Sequence, residues 1–128
     1  MRDSDFGKFI FRITIAILLL FHGYAKIKYG LGFIESALQT NGLPTIISYL
    51  VYLGEIIAPI LLIIGYKTRF AAFMIISTMI FAIYLVYPND LISLSNTGGL
   101  KLELNFFYIF TCLALIFTGA GKYSFDRR

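Results

Sequence analysis

The chain has 128 residues, of which 59% are hydrophobic and 14% charged, with a net charge of +4. Soluble domains average roughly 45–50% apolar and about 25% charged residues, and so small a fold leaves too much surface exposed to hide the difference from water. An ordinary soluble domain is excluded. So is a nucleic-acid binder, because the basic residues form no patch interleaved with polar base-reading groups.

The few charges are clustered. None falls between Arg69 and Asp90 or between Glu103 and Lys122, and only Glu55 falls between Glu35 and Lys67. A helix crossing a bilayer needs about 20 mainly apolar residues, with roughly 17 as the lower limit. Four segments meet that requirement: Phe9–Ala25, Ile46–Ile64, Phe70–Tyr87 and Leu102–Gly119. The expected fold is all-α, a single integral-membrane domain over residues 1–128. It is a four-transmembrane-helix bundle with a short amphipathic interfacial helix between the first and second spans.

The first span runs into LLLFHGYAKIKYG, Leu18 to Gly30, where hydrocarbon gives way to His22, Lys26 and Lys28 within a few residues. At about 1.5 Å per residue, Phe9–Ala25 covers roughly 26 Å, close to the hydrocarbon thickness. Tyr24, Lys26, Lys28 and Tyr29 then stand where aromatic rings and snorkelling amines settle, among the headgroups. No small-x-small cleavage site follows, so this reads as a retained helix and not a signal peptide.

The interfacial helix is expected within Gly30–Pro44. Phe33, Ile34, Ala37 and Leu38 recur at helical spacing, with Glu35, Ser36 and Gln39 on the other side and Gly42 and Pro44 as the stop. The second span carries Glu55 about ten residues from either end, with Pro59 one turn later freeing a carbonyl at that level. The turn GYKTR, Gly65–Arg69, makes the second and third spans antiparallel neighbours. A longer Gly/Ser/Asn-rich connection, PNDLISLSNTGGL, leads to the fourth span, which opens with Glu103 and Asn105. Cys112 is the sole cysteine and sits mid-span, so a disulfide framework is ruled out and a small core hydrophobe is the natural role.

Four spans place the termini and the Lys67–Arg69 turn on one side. Eight of the eleven Lys and Arg residues fall there, against Lys26, Lys28 and Lys101 opposite. That bias puts both termini in the cytoplasm and assigns the excess charge to topology and anionic lipid. Ionisable groups in the hydrocarbon cost roughly 2.5–3.5 kcal/mol each by insertion scales, so those retained there point to a site. Glu103, Lys26 and His22 above, Glu55 in the middle and Arg12 below form a candidate polar column, with Asn105 beneath Glu103. Arg12 or His22 is the expected partner of Glu55. The competing reading is that these groups only neutralise one another and fix helix packing. No metal-ligand spacing, nucleotide-binding loop or nucleophile–base pair accompanies them.

In order and spacing, Arg12, HGYAK (His22–Lys26), Glu55 in LGEIIAP, GYKTRFAA (Gly65–Ala72), ELNFFY (Glu103–Tyr108) and GAGKYSFD (Gly119–Asp126) resemble the DoxX family of small bacterial membrane proteins. The resemblance implies a four-helix transmembrane bundle in the bacterial inner membrane. It implies that Arg12, His22, Lys26, Glu55 and Glu103 occupy the family's polar positions. It also implies a redox setting, since relatives include a subunit of an archaeal thiosulfate:quinone oxidoreductase and a membrane partner in oxidative-stress complexes. Three readings stand. The first is a quinone-interacting, redox-linked membrane subunit. The second is a non-catalytic scaffold or chaperone recruiting soluble redox or stress proteins at the cytoplasmic face. The third is a small transporter or channel, ranked last because the lower half of the column offers only Arg12.

Overall fold

A computed structural model of the chain describes residues 3–86, 89, 92, 94, 96, 98–100 and 102–126. Arg2, Tyr87, Lys101, Arg127 and Arg128, used above as a span end and as flanking charges, lie outside the described residues, as do the side chain of Phe33 and much of the third connection. The described part is helical, with a lone antiparallel bridge between Leu94 and Leu100 as its extended pairing.

Helix α1, Asp3–Tyr29, is continuous and without proline, and mainly apolar between its charged ends. Arg12, Ile15, Ala16, Leu19 and Gly23 are buried at helical spacing, whereas Ile10, Ile17, Leu18, Phe21 and Tyr24 are exposed. One stripe therefore faces the bundle and the rest offers hydrocarbon to the surroundings. Gly30, at φ +84, ends α1 by turning left-handed with its N–H on the Lys26 carbonyl.

Helix α2, Gly32–Thr40, forms where the apolar periodicity placed it. Gly42 adopts φ +72, and Leu43 N–H closes on the Leu38 carbonyl at 2.9 Å. Its surroundings differ from the expectation. Leu38 is fully buried, and Leu31 just before the helix nearly so, while Ser36 and Gln39 are exposed. The apolar side of α2 thus packs on the protein, against α4 and the start of α3.

Helix α3, Thr45–Ile64, changes its winding along its length. It begins as a tight 3₁₀ turn over Thr45–Tyr49 and widens to a π-type turn over Leu53–Ile57 before resuming α-geometry at Ala58. Pro59 explains the wide turn. Without an N–H it cannot bond the carbonyl four residues back, that of Glu55, and its ring crowds that oxygen. Two glycines let neighbours approach the distorted segment. A Cβ at Gly23 would strike the Glu55 carbonyl oxygen, and one at Gly54 would strike the Thr78 hydroxyl.

Gly65, at φ +76, and Lys67, at φ 49, make the turn into α4, Thr68–Val86, which runs back beside α3. Helix α5, Glu103–Thr118, packs along α4. Among the described residues, α1, α3 and α4 are long and apolar enough to cross a membrane, and α5 is an apolar helix of shorter length. Ile15, Leu19, Leu62, Ile75, Cys112 and Leu115 form the shared core.

After α5 the chain folds back over the end of the bundle that holds the termini. Phe125 N–H bonds the Ile64 carbonyl at 3.1 Å and Asp126 N–H the Gly65 carbonyl at 2.9 Å. The Asp126 carboxylate accepts from Lys67 N–H at 3.0 Å and Thr68 N–H at 2.9 Å, capping the start of α4. Lys122 N–H reaches Asp5 at 3.3 Å, tying the same segment to α1. Arg69 Nε–H bonds the Ile116 carbonyl at 2.8 Å, which gives that residue a structural contact besides its place in the turn.

Candidate functional site

At the end of the bundle remote from the termini, the last turns of α1 carry His22 and Lys26 on one stripe, as residues four apart must be. The wide turn of α3 aims Glu55 at that stripe. Lys26 Nζ donates to Glu55 Oε1 at 2.9 Å, with the lysine side chain 26% exposed and the glutamate side chain 7% exposed. Tyr52, one turn before Glu55, donates its hydroxyl to the Lys26 carbonyl at 3.4 Å, a long bond that still ties α3 to the same turn of α1.

The partner of Glu55 is therefore Lys26, not Arg12 or His22. A four-carbon stem lets an amine near the end of α1 reach back into the bundle, and a buried carboxylate gives it reason to do so. His22 instead sets its ring edge-to-face against Tyr108 of α5, with centroids 6.2 Å apart. A cavity of about 300 Å³ opens beside the ion pair. His22, Lys26, Glu55, Asn105 and Tyr108 supply its polar wall, and residues such as Val51, Phe81, Ala82, Leu85 and Leu104 the apolar remainder. Asn105 is held by a weak contact from its amide to Met79 sulfur at 3.6 Å, leaving most of its donor and acceptor capacity for the cavity.

Two residues of the expected column lie elsewhere. Glu103 is exposed and does not line the cavity. Arg12 sits at the opposite end of the bundle and is fully buried there. Its Nη2 donates to the Tyr123 carbonyl at 2.7 Å, and its guanidinium lies over the Phe9 ring, 5.5 Å from the centroid. Asp126 acts on it electrostatically. Its Nε and Nη1 have no hydrogen-bond partner among the described residues. A Cβ at Gly65 would meet Arg12 Nη1 and Ser124, so the turn must be glycine for the guanidinium to fit. The column is thus two separate polar assemblies, with the apolar core between them.

Tyr108 is the site residue that sequence reasoning passed over. It is 3% exposed and forms part of the cavity wall. The available signal was its place three residues after Asn105, which puts both on one face of α5. Among the described residues no three of His, Cys, Asp and Glu gather as a metal site.

The family model described as DoxX matches residues 7–88. That region includes Arg12, His22, Lys26, Glu55 and the Gly65–Arg69 turn. No curated protein and no solved structure matches the chain.

Proposed function

This chain belongs to the DoxX family, and we propose that it is a quinone-interacting membrane subunit of a redox system. In this reading one domain crosses the inner membrane of a bacterium four times, with α5 as the fourth span and both termini in the cytoplasm. The observation that carries the reading is the division of the cavity wall, with an ion pair, an amide, an imidazole and a phenol facing apolar side chains. A quinone is divided in the same way, with two ring oxygens that need donors on a ring and tail that prefer hydrocarbon. Lys26 keeps N–H groups beyond the one given to Glu55, and the second carboxylate oxygen can accept from a quinol hydroxyl. Both redox forms of a quinone would find partners, with a proton acceptor and donor beside the ring. A volume of about 300 Å³ is at the lower end for ligand sites, roughly 300–1,000 Å³, which suits a head group whose tail remains outside.

A transport path fits the geometry less well. The core packs shut between the cavity and Arg12, and the folded-back segment covers the end with the termini. Topology is checked by a reporter enzyme fused after Arg128, which should be active in the cytoplasm and silent outside. The opposite pattern would overturn the four-span arrangement. Function is checked by extracting the protein in mild detergent and analysing bound lipid and protein by mass spectrometry. Quinone should copurify with the parent, and much less of it with Lys26→Met. A crosslinked soluble redox or stress protein without quinone would replace the subunit by a scaffold.

A further inference from the structure

We infer that this cavity is filled sideways from the bilayer, through the seam between α1 and α5, with the His22–Tyr108 ring pair as its gate. The inference rests on the reading above and names the ligand's route and class: a lipid-soluble amphiphile whose chain lies in the seam while its head reaches Lys26 and Glu55.

Three observations converge on the seam. First, α1 and α5 make the sparsest contact of the neighbouring pairs among α1, α3, α4 and α5, whereas α4 and α5 are closely packed. Second, the cavity reaches the surface there. His22 and Leu104 line it and are both exposed, one from each side of the seam, and Gly30 continues the α1 edge. Third, the groups that close the seam are two rings touching edge-to-face, at 6.2 Å and 87°, and no hydrogen bond between them is needed to hold that contact. A single edge-to-face ring contact is weak enough to open on thermal motion.

The rim decides what enters. Leu18, one turn before His22, and Leu104 on the opposite edge are exposed and apolar. On the remaining side, α2 covers the cavity. Its residue Ile34 lines the wall, and Leu31 and Leu38 are buried beneath it. Among the described residues, a packed helix lies over the cavity on that side, while the seam is closed by two side chains. The order of contacts along the route also fits an amphiphile: Leu104 and the two rings first, then Asn105 and the ion pair.

The test needs no quinone. Ala82, which lines the cavity, is replaced by cysteine in a Cys112→Ala background, and the protein is placed in lipid vesicles. Labelling is followed with a long-chain N-alkylmaleimide dissolved in the bilayer and with a sulfonated maleimide in the water. The bilayer reagent should modify Ala82→Cys and the aqueous one should not, while the parent, whose Cys112 is buried, should resist both. Adding His22→Trp should slow the bilayer reagent about tenfold, the effect of a barrier raised by about 1.4 kcal/mol. Adding Tyr108→Ala should speed it, which keeps the test valid if the tryptophan variant folds poorly. Faster labelling from the water, or a bilayer rate indifferent to both seam variants, would overturn the lateral route. Neither outcome depends on quinone copurification, so the route and the ligand class can fail separately.

Discussion

Replacing Lys26 by methionine should cost more stability than replacing Glu55 by glutamine. The two members of the ion pair are unequally buried, at 26% and 7% side-chain exposure. Removing Lys26 strands a carboxylate in the bundle, and breaking a buried pair from one side typically costs about 3–5 kcal/mol. Removing the charge of Glu55 leaves an amine that can swing outward on its flexible stem and recover solvation, so the cost should fall to about 1–2 kcal/mol. The double variant Lys26→Met/Glu55→Gln should regain most of the loss, because neither charge is then left unpaired. Thermal unfolding in detergent measures all of this. Equal losses for the two single variants, with no recovery in the double, would mean that the pair is not coupled.

The second large effect is expected at the other end of the bundle. Arg12 is fully buried, and its partners among the described residues come from the segment after α5 together with the Phe9 ring. Guanidinium cannot shed its charge at any accessible pH. Ending the chain after Ala120 removes the Tyr123 carbonyl, the Asp126 carboxylate and the backbone bonds to Ile64 and Gly65. The truncated protein should lose about 3–5 kcal/mol, the sum of several hydrogen bonds worth roughly 0.5–1.5 kcal/mol each and of the cap on α4. Arg12, which the cut uncovers to water, is then no stranded charge, so Arg12→Met in the truncated chain should recover little of that loss. A milder change, Asp126→Ala, removes the cap on α4 and the field on Arg12, so it should cost about 1–2 kcal/mol. A truncated chain as stable as the parent would show that the segment does not hold this end together.

Much of this arrangement was legible in the chain because the physics behind it is local. Charge-free windows mark the helices, and Gly30, Gly42 and Gly65 end elements where left-handed backbone is needed. Pro59 announced a disturbed backbone at Glu55, and the structure places a wide turn there. The pairing was not legible. Counting residues from the ends of the second span put Glu55 at mid-depth, but α3 opens with a tight 3₁₀ turn and then unwinds into a wide π turn. Both alter rise and facing direction, so simple counting misjudges which turn of α1 lies opposite. Arg12 was misread for a different reason. Its partner lies 111 positions away in sequence, in a polar segment whose periodicity says nothing about where it docks. Helix α2 shows the limit of amphipathic patterns. Spacing draws an apolar face of Phe33, Ile34, Ala37 and Leu38, but the pattern is the same whether that face meets lipid or protein. Here Leu38 is fully buried in the protein.

The central claim is that the cavity beside Lys26 and Glu55 binds the head of a quinone. A photoreactive quinone analogue, added to the protein in vesicles and mapped by peptide mass spectrometry, tests it most directly. The expected adducts fall on Thr78–Leu85 and Leu104–Tyr108, are lost in Lys26→Met, and are competed away by excess unlabelled quinone. Adducts confined to exposed lipid-facing residues such as Phe21 or Phe117, insensitive both to competitor and to Lys26→Met, would contradict the claim.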